Sequence, residues 1–148
     1  MKLSFSTKGW YNRSFEEFCD VANYIGFTGV ELHNINNPLF TEKDGAFHDY
    51  TSAATLRRLF EKKLEIPCID VVSDIANPVT ENGTEDEIKR CIEIAKNLRI
   101  PYVRLRAFEG DNKDVCVNQV KKTIENVLTL AQNSCVTLLL ETSGLFAD

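Results

Sequence analysis

The sequence predicts an α/β fold in which five parallel β-strands alternate with four α-helices. Short aliphatic segments have the composition of buried strands. Between them, apolar residues recur three and four positions apart, as they do on the buried face of a helix. Strand starts recur about every 25–40 residues, which is typical of strand-helix-strand units in a parallel sheet. The predicted order is therefore β-α-β-α-β-α-β-α-β.

The first helix has clear sequence boundaries and follows an extended segment at residues 2–6. Ser14 and Glu17 have the spacing of a capping box, in which the two side chains bond to each other's backbone N–H groups. Gly26 supplies the left-handed conformation that commonly ends a helix. The apolar stripe between these ends consists of Phe15, Phe18, Ala22 and Ile25.

A second strand, a long loop and a second helix come next. Residues 28–33 form a strand-like run, and the polar loop at residues 34–50 has a length that is usually functional or mobile. The second helix is predicted over residues 52–64, with Leu56, Leu59 and Phe60 as its apolar positions. Residues 66–72, interrupted only by Pro67, predict the third strand.

The second half of the chain repeats the alternation. Thr84 and Glu87 have capping-box spacing and predict the start of the third helix, which Pro101 stops. The fourth strand is predicted over residues 102–106, before a polar loop at residues 109–114, and the fifth over residues 136–141. The apolar positions are Ile88, Cys91, Ile92, Ala95 and Leu98 in the third helix, and Val117, Val120, Ile124, Val127, Leu128 and Ala131 in the fourth.

The composition predicts one soluble domain. Of the 148 residues, 43% are hydrophobic and 26% are charged, and no apolar run approaches the length of a membrane span. The N-terminus lacks the apolar region of a secretory signal, so we expect a cytoplasmic protein that does not associate with a membrane. The formal net charge of -5 opposes a nucleic-acid partner. Five cysteines without CxxC spacing indicate reduced thiols packed in the core.

Two architectures accommodate this element order: a doubly wound nucleotide-binding sheet and a barrel. A doubly wound fold normally has a glycine-rich turn after its first strand, whereas residues 7–10 contain a single glycine. The absence of that motif favours the barrel.

Two segments resemble the xylose isomerase-like superfamily, which includes sugar isomerases, epimerases and endonuclease IV. They are Ile25-Gly26-Phe27-Thr28-Gly29-Val30-Glu31-Leu32 and Leu138-Leu139-Leu140-Glu141-Thr142. The resemblance implies a partial (β/α)8 TIM barrel, in which residues 1–148 form the N-terminal portion with strands one to five. Such barrels usually have about 250 residues. We expect a fragment of a longer protein, with a natural half-barrel that dimerises as the alternative.

The resemblance implies a catalytic and metal-binding role for Glu141. A carboxylate at the end of an aliphatic strand is costly to bury unless it is paired or bound to a cation. In the superfamily, the Glu at this place ligates a divalent metal, and in the epimerases it also assists proton transfer; a structural partner for an Arg is the alternative. The other ligands belong to strands six to eight. We therefore expect a divalent metal (Mn, Co, Mg or Zn) in the complete enzyme and none in this chain alone.

Candidate substrate-binding residues are His33, Arg104, Arg106 and Asp74. The two arginines lie two apart on strand four and so point to one side, between strand three with Asp70 and strand five. They could orient a polyol or carbonyl oxygen, or form a structural ion-pair layer. His33 could contact a hydroxyl group or cap a loop. Trp10 and Phe40 could line a sugar, although ordinary packing is favoured.

Three functions remain open from the sequence. The first is a metal-dependent isomerase or epimerase acting on a sugar or sugar phosphate, and the second is a polyol (inosose-type) dehydratase of the same superfamily. The third is a non-enzymatic half-barrel that binds a ligand or assembles, with a possible homodimer through the exposed sheet edges at strands one and five. The endonuclease branch is disfavoured, because it uses several His ligands and strands three and four carry none.

Overall fold

The computed structural model describes residues 2–10, 13–35, 40, 45–48, 51–76, 81–107 and 113–142. Within these ranges the predicted alternation is confirmed. Most residues of the two predicted loops, at 34–50 and 109–114, lie outside the described residues. The strands are β1 (Ser4–Ser6), β2 (Gly29–His33), β3 (Cys68–Asp74), β4 (Tyr102–Ala107) and β5 (Thr137–Thr142), and the helices are α1 (Phe15–Ile25), α2 (Ser52–Glu61), α3 (Glu81–Leu98) and α4 (Lys113–Asn133).

The chain divides into two compact units, and residues 1–68 form the first. In this unit β1 and β2 pair in parallel, with Phe5 opposite Val30. The capping box of α1 is confirmed, since the Ser14 N–H donates to Glu17 Oε2 at 2.9 Å and the Glu17 N–H donates to Ser14 Oγ at 3.2 Å. Gly26 ends the helix with a φ of 90°, as predicted.

Aromatic side chains form much of the core of the first unit. The rings of Phe5 and Phe18 stack with centroids 4.8 Å apart, and Trp10 meets both of them edge-on. Phe40 is buried and contacts Phe15 at a centroid distance of 6.0 Å. These contacts fit the packing interpretation of Trp10 and Phe40.

Residues 69–148 form the second unit, in which the strand order is β3, β4, β5. Strands β4 and β5 are parallel and in register from Tyr102 opposite Thr137 to Ala107 opposite Thr142. Helix α3 contacts β4 and α4, while α4 contacts β5. The fully or nearly fully buried apolar side chains include Ile88, Cys91, Ile92, Ala95, Val103, Leu105, Val127 and Ala131.

Some details of the predicted helices are wrong. Three positions predicted as apolar stripe residues are exposed, namely Ile25 at 58%, Leu56 at 37% and Leu128 at 42%. Helix α3 begins at Glu81, so Thr84 lies inside it and is buried rather than capping its end. In α2, Leu59 is buried as predicted, but Phe60 is 83% exposed and Thr55 takes a buried position instead. The Thr55 hydroxyl donates to the Ala46 carbonyl oxygen, which provides the partner that a buried hydroxyl needs.

The cysteine prediction is largely confirmed, since all five are free thiols and four are buried; Cys135 alone is exposed. Among the helices that the structure describes, none combines the length and apolar character that a membrane crossing requires.

Candidate functional site

Strands β4 and β5 provide the frame of the candidate site. Arg104 lies opposite Leu139 and Arg106 lies opposite Glu141. Side chains two apart on a strand share a face, so both arginines point to the same side of the sheet as Glu141. The alternate residues of β4 are buried, which gives this strand one apolar and one cationic face.

Arg104 connects two carboxylates that come from different strands. Its Nε lies 3.1 Å from Asp70 Oδ1 and 3.0 Å from Glu141 Oε2. The side chains are 2%, 29% and 43% exposed for Asp70, Arg104 and Glu141 respectively. A buried carboxylate needs a charged or hydrogen-bonding partner, and Arg104 is that partner for Asp70. Asp70 is therefore the buried, closed end of this group of side chains, and Glu141 is its solvent-accessible, open end.

The charge cluster that the sequence predicts on strands three to five is therefore present, with Arg104 as the ion-pair partner of Glu141. Arg106 is the register partner of Glu141 on the neighbouring strand, and its Nε atom is buried. An arginine side chain is long enough to reach a residue two positions further along a strand. Arg104, Arg106, Asp70 and Glu141 together carry no formal net charge, and we call these four residues the Arg104 cluster.

Asp74 is the last residue of β3, and its side chain forms a local turn. Its Oδ1 accepts a hydrogen bond from the Ala76 N–H at 2.9 Å. The next residue, Ile75, donates its N–H to the Arg106 carbonyl oxygen at 2.9 Å, which ties the end of β3 to the end of β4. The substrate-binding role of Asp74 stays a prediction.

Glu87 is a buried carboxylate whose role the sequence prediction missed. Its two oxygens accept the N–H groups of Val72 at 2.9 Å and Ser73 at 3.2 Å, and Oε2 also accepts the Ser73 hydroxyl at 2.5 Å. The side chain thus reaches from α3 to the backbone of β3 instead of capping its own helix. A useful signal was present in the sequence: Glu87 lies among Ile88 and Cys91 on the apolar stripe, where a carboxylate needs a partner.

His33 is the last residue of β2 and belongs to the first unit. It is buried, and its N–H donates to the Thr7 hydroxyl at 2.8 Å, while that hydroxyl approaches the His33 carbonyl oxygen at 3.4 Å. These backbone contacts fix the carboxyl end of β2. The predicted role of the imidazole toward a substrate stays a prediction.

The residues described here do not form a complete site for a divalent cation. Within the described ranges, no group of three or more His, Cys, Asp or Glu side chains comes together in a way that could hold a metal ion. Glu141 is also engaged by the Arg104 guanidinium. A divalent cation such as Mg²⁺ or Mn²⁺ prefers about six oxygen or nitrogen ligands, more than this face provides.

The structure is similar to several solved (β/α) barrels. It aligns with the IolI protein with a binding zinc atom (TM-score 0.74, 17% identity), covering 96% of this chain and 51% of that one. It also aligns with the probable 3-DHS dehydratase AsbF from Bacillus anthracis (TM-score 0.70, 22% identity), covering 95% and 52% of the two chains. A third similar structure is 3-keto-D-glucoside 4-epimerase, YcjR, from E. coli (TM-score 0.73, 13% identity), with coverage of 100% and 58%.

These similarities establish the fold, and the chain spans about half the length of the solved structures that it matches. No curated protein sequence matches the chain significantly. The sequence profile of the xylose isomerase-like TIM barrel family matches residues 19–146, which is most of the chain. The chain therefore belongs to the xylose isomerase-like TIM barrel family.

Proposed function

We propose that this chain supplies the N-terminal half, strands one to five, of a barrel that isomerises or epimerises a sugar or sugar phosphate. The observation that carries the proposal is the Arg104 cluster, in which a half-exposed carboxylate and a guanidinium lie 3.0 Å apart. Glu141 is the penultimate residue of β5, and active sites of such barrels lie at the carboxyl ends of the strands. The location and the chemistry of the cluster therefore agree.

Isomerisation and epimerisation both require a proton to leave the carbon beside a carbonyl group and to return. An ionised carboxylate can remove that proton as a general base. A guanidinium can donate hydrogen bonds to the carbonyl oxygen as negative charge develops on it. In our proposal Glu141 is the catalytic base, while Arg104 and Arg106 bind the oxygen atoms of the substrate. Asp74 and His33 are further proposed substrate contacts at the ends of their strands.

The complete enzyme is proposed to use a divalent metal, of which Mn, Co, Mg and Zn are the candidates. Glu141 would be the ligand contributed by this chain, and the remaining ligands would come from outside it. The zinc atom in the similar IolI structure supports a metal in the barrel as a whole. For the isolated chain we propose neither a bound metal nor substantial activity, because one carboxylate ligand is insufficient.

A polyol dehydratase is the alternative function, and the similarity to a probable 3-DHS dehydratase at 22% identity favours its consideration. Loss of water from a hydroxyketone also begins with removal of a proton beside a carbonyl, so the same carboxylate would serve. A non-enzymatic binding or assembly module is the third possibility. In each case we propose that the protein is cytoplasmic. We also propose that its partner is a small sugar or polyol and that it does not bind nucleic acid.

Saturation-transfer NMR distinguishes the isomerase or epimerase, the dehydratase and the non-enzymatic module by showing which ligands the chain binds. The ligands are a ketohexose, a ketohexose phosphate, an inosose and 3-DHS, tested with the wild type, Glu141→Gln and the exposed control Glu125→Gln. We expect a sugar or sugar phosphate to give the strongest transfer, and Glu141→Gln alone to weaken it. Preference for the inosose or 3-DHS would favour the dehydratase. Absence of transfer to every ligand would contradict a carbohydrate site on this chain.

A further inference from the structure

Charge balance is the feature of the Arg104 cluster that bears on cation binding. Asp70 and Glu141 each contribute one negative charge, and Arg104 and Arg106 each contribute one positive charge. A divalent cation is attracted to a site with excess negative charge and accessible oxygen ligands. Here Glu141, the more exposed of the two carboxylates, already has its Oε2 atom 3.0 Å from the Arg104 Nε atom.

We propose that Arg104 is a built-in counter-ion for Glu141, and that its guanidinium competes with a divalent cation for this carboxylate. The inference rests on the proposed function only in taking Glu141 as a metal ligand of the complete barrel. Arg104 is a positioning residue in this proposal. It holds the carboxylate in place through the 3.0 Å contact between Arg104 Nε and Glu141 Oε2.

The two ends of the cluster differ in a way that permits such an exchange. Asp70 is 2% exposed and fixes Arg104 from the closed side at 3.1 Å. Glu141 is 43% exposed, so its side chain has room to adopt another rotamer that points toward solvent. Glu141 can therefore leave the guanidinium without exposing a buried charge, because Arg104 remains paired with Asp70. A cluster with two buried carboxylates would not allow either of them to leave at low cost.

A manganese titration tests this proposal on the isolated chain, with free Mn²⁺ followed by electron paramagnetic resonance. The wild type is compared with Arg104→Met and with the matched control Arg106→Met, which removes a charge from the same strand. We expect Arg104→Met to bind Mn²⁺ at least about tenfold more tightly than the wild type, since the cluster then carries a net charge of -1 and the guanidinium that lay 3.0 Å from Glu141 is gone. Arg106→Met is expected to gain less than about threefold, and Arg104→Met/Glu141→Gln to lose the gain.

Equal affinity in the wild type and Arg104→Met, or a gain that persists without the Glu141 carboxylate, would overturn the proposal. If Arg104→Met does not fold, as judged by circular dichroism, the wild-type chain decides the question. Paramagnetic broadening by Mn²⁺ should then spare the Glu141 amide signal, and selective broadening at this residue would contradict the proposal. Neither measurement uses a sugar, so a failure here is separate from a failure of the proposed carbohydrate activity.

Discussion

At the scale of single residues, the two carboxylates that contact Arg104 have different surroundings and therefore different energetic roles. Asp70 is almost fully buried, so its ion pair replaces hydration that the carboxylate has lost. Glu141 is accessible and remains partly hydrated, so its ion pair contributes little to stability. Asp70 thus stabilises the fold, and Glu141 is the accessible carboxylate of the cluster.

This difference predicts unequal effects of two conservative substitutions. Asp70→Asn should lower the free energy of unfolding by about 2 kcal/mol, because it removes a charged partner from a buried hydrogen bond. Glu141→Gln should lower it by less than about 1 kcal/mol, as is usual for an exposed ion pair. Urea unfolding of both variants measures the two values. A larger loss of unfolding free energy for Glu141→Gln than for Asp70→Asn would contradict the assignment of Asp70 as the buried carboxylate of the cluster.

Cysteine reactivity gives a second prediction at this scale. Burial raises the pKa of the Cys19 thiol to about 12, and the nearby Lys62 ammonium only partly opposes this effect. Cys135 is the exposed cysteine, while the other four are buried. We expect a thiol reagent at pH 8 to modify one cysteine rapidly in the folded chain and all five after unfolding in urea. Mass spectrometry should identify Cys135, and rapid labelling of Cys19 would contradict its buried position.

The same raised pKa predicts how stability depends on pH. Above the ordinary thiol pKa of 9.0 the unfolded chain loses the Cys19 proton, whereas the folded chain retains it until about pH 12. The free energy of unfolding should therefore fall between these pH values, by up to about 1.4 kcal/mol per pH unit from this group. Cys19→Ala should show a shallower fall in urea unfolding between pH 9 and about 10.5. Parallel pH profiles for the two proteins would contradict the assignment.

At the scale of elements, the sequence predicted those features that depend on local pattern. The capping box of α1, its terminal glycine and the aliphatic β5 follow from residues close to one another in the chain. Glu87 was misinterpreted because Thr84-x-x-Glu87 fits a capping box equally well. Its actual partners, the backbone N–H groups of Val72 and Ser73, are 15 and 14 residues away respectively. Such a partner depends on how α3 packs against β3, which local spacing does not specify.

Glu87→Gln tests this contact between helix and strand. The amide retains one acceptor oxygen but replaces the other with a donor, which cannot pair with a backbone N–H. We expect the free energy of unfolding to fall by about 1–3 kcal/mol. We also expect faster hydrogen exchange at the Val72 and Ser73 amides. The exposed Glu93→Gln on the same helix is the control and should change neither quantity. Unchanged exchange in Glu87→Gln would mean that the carboxylate does not secure β3.

At the scale of the whole molecule, the family and the strand order could be predicted, but the pairing within the charge cluster could not. The motif from Ile25 to Leu32 and the strand ending in Glu141 identified the barrel family, which the profile match confirms. The alternation of buried and polar residues placed Arg104 and Arg106 on one face. Which of them contacts Glu141 depends on register and side-chain rotamers. These are properties of the assembled sheet, and the structure assigns the contact to Arg104.

The outer edge of β5 leads to a prediction about association. Among the described strands β5 pairs with β4 alone, and Leu139 and Leu140 are 39% and 43% exposed. Unpaired edges with apolar side chains favour pairing with another chain. We expect light scattering to show a dimer or larger species, and Leu140→Lys to shift the distribution toward monomer. A wild-type chain that remains monomeric at high concentration would contradict association through this edge.

We propose that the carboxyl ends of β4 and β5 form the carbohydrate-binding face of this half-barrel. Titration of the ¹⁵N-labelled chain with the ketohexose or sugar phosphate, followed by amide chemical shifts, tests it most directly. We predict shifts concentrated at Arg104, Arg106 and Glu141 that are lost in Glu141→Gln and retained in Glu125→Gln. Binding without shifts at these strands, or shifts that persist unchanged in Glu141→Gln, would contradict the claim.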